Sequence, residues 1–170
     1  KYFETNKIDF TRNKIALFYG KNDGLKNQTI NNLINNKYKK TLYDEKEILE
    51  NTNQLLEKIL NRSLFDSDEI IIIKRASDKI FNLINEIASK NIDDVIIIIN
   101  ADNLEKKSKL RSFFERSKKE ICVAFYPDND QTLMKIASNF LRNRNISISA
   151  SDINLLVNKS RGDRESLLNE

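Results

Sequence analysis

The chain has 170 residues, 39% of them hydrophobic and 32% charged, with only 3 Gly and 1 Pro; this excludes disordered and collagen-like classes and is ample for a buried core. Its 29 Lys and Arg against 25 Asp and Glu leave a mild net charge of +4, dispersed among acidic residues, which permits nucleic acid as a partner without demanding it. The absence of His removes the commonest general base and metal ligand, the single Cys122 excludes an internal disulfide and suits a reducing cytoplasm, and no apolar run reaches the roughly 18 residues of a membrane span.

The sequence opens on Lys1-Tyr2-Phe3 without Met or a signal-peptide pattern and stops at Glu170 within a helical pattern, as a piece of a longer protein does. Residues 14 to 19 are a short apolar run ended by Gly20, the pattern of a buried strand entering a tight turn. After Gly24, the spacing of Leu25, Ile30, Leu33 and Ile34 predicts a helix over 25 to 36, followed by a brief strand at 38 to 43. From Asn51, the positions Leu55, Leu56, Ile59 and Leu60 mark a second amphipathic helix running toward Ser63-Leu64-Phe65.

Ile70 to Ile73 and Val95 to Ile99 are β-branched runs of the kind found where both faces of a parallel sheet are covered, and a helix over 78 to 89 separates them. A further helix near 105 to 118 precedes the run Ile121 to Tyr126, which Pro127 closes; within it, Cys122 between Ile121 and Val123 reads as a buried strand residue rather than a reactive thiol. Alternating strands and helices imply right-handed crossovers and a doubly wound sheet. Beyond Pro127 the pattern turns helical, through Leu133, Ile136, Ala137, Phe140 and Leu141 and then Ile153 to Val157, so a domain boundary is expected near 127.

Between the first strand and helix lies Gly20-Lys21-Asn22-Asp23-Gly24-Leu25-Lys26-Asn27, in the place of the phosphate loop G-x-x-x-x-G-K-[ST]. In such a loop glycines let backbone amides surround phosphates, Lys contacts them, and Ser or Thr ligates magnesium. Gly20 and Lys26 keep the spacing, but Leu25 stands for the second glycine and Asn27 for the hydroxyl residue. The acidic pair that would hold magnesium at a strand end is missing too, because Ile96 to Ile99 runs into Asn100-Ala101-Asp102. Two defects in cooperating elements predict a degenerate phosphate loop with no catalytic residues, cofactor or metal. Arg111, Arg116, Arg142 and Arg144 are candidates for acting on another subunit's site, although arginines on charged helix faces are usually just solvated.

Taken in order, Leu17-Phe18-Tyr19-Gly20 with Asp23-Gly24-Leu25, Ser63-Leu64-Phe65 before an apolar strand, Val95 to Asn100 with Leu104, Leu110-Arg111 with Phe113-Phe114-Glu115, Tyr126-Pro127-Asp128 and Gly162-Asp163-Arg164 resemble the delta subunit of the bacterial DNA polymerase III clamp loader. The resemblance covers nearly the whole chain. It implies an AAA+-like P-loop α/β fold with a mostly parallel doubly wound sheet. Residues 1–127 would be the degenerate nucleotide-binding-fold domain carrying the clamp-binding element, and 128–170 the truncated start of a small helical lid domain, with the C-terminal collar domain absent. It further implies a non-catalytic subunit of the DNA polymerase III holoenzyme, a DNA-directed DNA polymerase and nucleotidyltransferase. Such a subunit binds and helps open the sliding clamp (beta subunit) for loading onto primed DNA, in company with other clamp-loader subunits and primer-template DNA.

The clamp-binding residues that the resemblance implies are Leu64 and Phe65, a large apolar pair in an otherwise polar stretch; the residues alone equally suit a helix end capped against the sheet. Two other functions stay open. An autonomous P-loop ATPase would call for an acidic pair at Asn100 and Ala101 and a hydroxyl at Asn27. A sequence-specific DNA-binding module would call for a concentrated basic recognition helix, whereas Lys106, Lys107, Lys109, Arg111, Arg116, Lys118 and Lys119 form a modest basic face.

Overall fold

The computed structural model describes residues 8–34, 38–60, 69–90 and 95–170. Five strands form one sheet in the order β2-β3-β4-β1-β5: β1 (Ile15–Tyr19), β2 (Lys39–Asp44), β3 (Glu69–Ala76), β4 (Val95–Ala101) and β5 (Ile121–Ala124). Every pairing is parallel, with Tyr19 aligned to Ala101 on one side and to Ala124 on the other. The crossovers are α1 (Asp23–Ile34), the pair α2 (Glu45–Glu50) and α3 (Thr52–Leu60), α4 (Phe81–Ser89) behind a 3₁₀ turn at Asp78–Ile80, and α5 (Lys109–Arg116). The chain then turns wholly helical, through α6 (Asp130–Asn143), α7 (Ala150–Ser160) and α8 (Arg164–Asn169).

The continuous apolar runs divide their residues between two covered faces, because successive strand side chains point opposite ways. Ile15, Leu17, Ile71, Ile73, Ile97 and Ile99 face one layer, where Ile48 of α2, Leu55 and Ile59 of α3, Ile84 of α4 and Phe114 of α5 bury them. Ala16, Phe18, Ile70, Ile72, Ile96 and Ile98 face the other, covered by Leu25, Ile30 and Ile34 of α1. Leu133, Ala137, Val157 and Leu167 make a separate apolar cluster among α6, α7 and α8. No helix among the described residues is long and apolar enough to cross a membrane.

Local chemistry moves several element boundaries from their expected places. Helix α1 begins two residues early, at Asp23, because Asn22 caps it: its Oδ1 accepts from the Leu25 amide at 3.0 Å. Helix α2 has no counterpart in the periodicity; Asp44 and Glu47 form a reciprocal capping box at its start. Strand β3 runs on to Ala76 through a register shift in which Arg75 takes a left-handed φ of 55° and its guanidinium pairs with Asp44. Helix α5 starts only at Lys109, where Asp78 accepts from the Ser108 hydroxyl (2.6 Å) and from the amides of Lys109 (3.1 Å) and Leu110 (3.0 Å). Burial raises the Asp78 carboxyl's pKa, but these hydrogen bonds outweigh it and leave the group below its ordinary value. Helix α8, capped by Asp163, is a separate element from α7.

Candidate functional site: the loop between β1 and α1

The sheet order brings the end of β1 between the ends of β4 and β5, so the loop that follows is enclosed by both neighbours. Gly20 turns there with φ of 125°, its amide donating to the Asp102 carbonyl at 3.2 Å. A Cβ at this position would lie 2.1 Å from the Phe125 carbonyl oxygen, since the Phe125 amide continues the β5 pairing onto Tyr19 at 2.8 Å. This glycine is needed for the approach of a neighbouring strand, whatever the loop binds.

Lys26 is 1% exposed. Its Nζ donates to the Ala101 carbonyl at the end of β4 (2.7 Å) and pairs with Asp23 Oδ1 (2.8 Å), so two of its three donors are taken within the protein. Two first-turn amides of α1 are engaged likewise, that of Leu25 by the Asn22 side chain and that of Lys26 by the Asn22 carbonyl at 3.0 Å. Asn27 is exposed and lines a shallow groove between α1 and α8, on a different side of the helix from Lys26. Gly20 thus lies in the loop and Lys26 in the first turn of α1, with the Lys26 ammonium turned into the sheet end.

Two strands lie in succession beside β1, and neither ends in an acidic pair. β4 ends on half-buried Asn100 and buried Ala101, followed by exposed Asp102, whose Oδ1 accepts from the Asn103 amide at 2.7 Å. The other, β3, ends on Lys74-Arg75-Ala76. Among the described residues no group of three His, Cys, Asp or Glu is placed to hold a metal ion.

Of the arginines singled out in the sequence, Arg111 is held internally: Nε donates to Glu115 Oε1 at 2.8 Å, Nη1 to the Leu104 carbonyl at 3.0 Å, and the guanidinium lies over the Tyr19 ring at 5.0 Å. Arg144 lies over Phe140 at 4.0 Å, and Arg116 is exposed. Lys106, Lys107, Lys109, Arg116, Lys118 and Lys119 are exposed along and beyond α5, with Lys107 paired to Glu105. Leu64 and Phe65 lie outside the described residues.

Near Arg111, burial pushes the Tyr19 hydroxyl up to about 12, and burial with the Glu115 charge pushes the Cys122 thiol up to about 11 from 9.0. A rise of that size cuts the thiolate fraction at pH 8 by about a hundredfold. Iodoacetamide is therefore expected to alkylate Cys122 far more slowly in the folded protein than in urea. Equal rates, followed by mass spectrometry, would show an accessible, ordinary thiol.

Periodicity gave no notice of the side chains that bridge the loop to the rest of the chain. Asn22 Nδ2 donates to the Tyr126 carbonyl (3.0 Å) and to Asp128 Oδ2 (2.9 Å). Asp128 in turn accepts two hydrogen bonds from Arg164, from Nε (2.9 Å) and Nη2 (2.7 Å), and Arg164 Nη1 donates to Gln28 Oε1 (3.0 Å). These partners are up to 136 residues apart in sequence.

No protein-family profile matches the chain, and no curated protein matches it in sequence. Its fold is nevertheless shared with solved structures. A Bacillus subtilis DNA clamp loader delta protein superposes with TM-score 0.61 at 13% identity, over 99% of this chain and 55% of that one. A Walker-type ATPase of Pyrococcus abyssi gives 0.57 at 12%, over 98% of this chain and 64% of that one. Domain III of the Thermotoga maritima replication initiation protein DnaA gives 0.56 at 15%, over 99% and 77%. The chain spans about half the length of the first of these. At such identities the likeness is one of fold: an AAA+-like P-loop α/β architecture with a parallel five-stranded sheet.

Proposed function

We propose that the chain is a non-catalytic clamp-loader subunit of the delta kind, which binds and helps open a sliding clamp while companion subunits hydrolyse ATP. The observation that carries this reading is the state of Lys26. The one cation at the phosphate-contacting position of the loop is buried, held by Ala101 and Asp23, so a nucleotide would have to break both contacts to recruit it. The missing acids at the ends of β3 and β4 point the same way, and the fold likeness to a DNA clamp loader delta protein supports the assignment among AAA+-like folds.

On this reading, residues 1–127 are the degenerate nucleotide-binding-fold domain and 128–170 begin the helical lid. The subunit belongs to a cytoplasmic DNA polymerase III holoenzyme. Its partners are the clamp, engaged through Leu64 and Phe65, the other loader subunits and primer-template DNA. An autonomous ATPase would need Lys26 released and a magnesium ligand in place of Asn27.

Isothermal titration with magnesium and ATP is expected to give no binding at micromolar concentration and no turnover. Micromolar binding with turnover that disappears in Lys26→Ala would assign the chain to the ATPases instead.

A further inference from the structure

Asp128 and the three polar side chains networked with it belong to three separate parts of the chain: Asn22 and Gln28 to the loop and first turns of α1, Asp128 to the connection before α6, and Arg164 to the first position of α8. The Asp128 and Arg164 side chains are 6% and 9% exposed, and their geometry is the bidentate fork that guanidinium and carboxylate make best. A charge pair removed from water in this way is stable only while both partners are in place, because either one alone would be left buried and uncompensated. Beside it, α8 comes so close to α1 that a Cβ on Gly24 would stand 3.2 Å from the Glu165 amide nitrogen and 3.4 Å from the Arg164 Cβ. The apolar cluster of α6, α7 and α8 is separate from the two clusters of the sheet. Among the described residues no buried apolar cluster joins these helices to the α1 end, and the contacts described above are polar or set by a glycine-sized gap.

We propose that Asp128 and Arg164, anchored by Asn22 and Gln28, are a latch that clamps helices α6 to α8 onto the N-terminal end of α1 without any bound ligand, and that its loss frees those helices as a unit while the sheet stays folded. A ligand that bridges two parts of a protein makes their attachment depend on its concentration. A latch built from the chain's own side chains holds the arrangement at any ligand concentration, and a partner that outcompetes the ion pair would release it. The proposal concerns the attachment alone and holds or fails independently of clamp binding.

Hydrogen exchange of the full chain, read by mass spectrometry, tests it in Arg164→Gln, which removes the guanidinium, and in Asp128→Asn, which keeps the shape of the carboxyl group while removing its charge. Gly24→Ala serves as the control, leaving the pair intact and asking α8 to give way by only a few tenths of an ångström. Exchange in α6 to α8 is expected to rise about tenfold or more in Arg164→Gln and Asp128→Asn, together with faster proteolytic cleavage at 127 to 131, while β3 and β4 keep their protection and Gly24→Ala stays within a few-fold of the parent. The double variant at 128 and 164 should be no looser than either single one. Unchanged protection of α6 to α8 in either Arg164→Gln or Asp128→Asn, or equal loss of protection in β3 and β4, would overturn the latch.

Discussion

Replacement of Gly20 by alanine is expected to destabilise the protein by about 3 kcal/mol or more, even though the substitution adds a single methyl group. Two costs combine. At φ of 125° an L-residue is strained in any surroundings, and a Cβ would sit 2.1 Å from the Phe125 carbonyl oxygen, a backbone atom that cannot rotate away. Relief would require β5 to draw back from β1, weakening the Phe125 amide to Tyr19 carbonyl bond and the contact of the Phe18 and Phe125 rings, whose centroids are 5.2 Å apart. For a chain of this size the loss corresponds to a fall in melting temperature of roughly 6 to 12 °C. Gly24→Ala provides the internal contrast. Gly24 lies inside α1 without a positive φ, so alanine gains helix propensity there and meets only the start of α8. Equal melting temperatures for the two variants would show that the strand approach at Gly20 is soft. The comparison also bears on how motifs are read: a glycine of the phosphate-loop pattern survives here in a position that backbone packing alone requires.

The architecture was legible where the signal was local. The β-branched runs at 70 to 73 and 95 to 99 became adjacent central strands because a run apolar at every position fits only a sheet covered on both faces. The changes Leu25, Asn27, Asn100 and Ala101 were visible by spacing alone. Helix α2 escaped because six residues are too few for a 3.6-residue period to emerge, although Asp44 with Glu47 is a start signal of the capping-box kind that was there to be read. The separate helix α8 was masked in the same way, with Asp163 as its only local mark. The inward turn of Lys26 and the Asp128 to Arg164 pair were not legible at all. Each depends on which strand ends meet, and sequence spacing carries no trace of a contact across 75 or 36 residues.

For a delta-like clamp-binding role, replacement of both Leu64 and Phe65 by alanine is expected to weaken binding to the sliding clamp by about a hundredfold or more. Large apolar side chains entering a preformed pocket remove their surface from water at roughly 25 cal/mol per Å² before association costs are subtracted. Truncating two such anchors removes several kcal/mol, and about 2.8 kcal/mol already makes a hundredfold change in dissociation constant. The pair falls in sequence between α3, which ends at Leu60, and β3, which begins at Glu69, amid Asn61-Arg62-Ser63 and Asp66-Ser67-Asp68. That polar setting offers a partner two apolar groups and little else, which favours dependence on shape over dependence on salt. Surface plasmon resonance against the organism's own clamp measures the affinity, and thermal melts of the same proteins separate a binding role from a packing role. An unchanged dissociation constant would remove Leu64 and Phe65 from the interface. A large fall in melting temperature would place them in the core, since exposed anchors contribute to the complex and not to the fold.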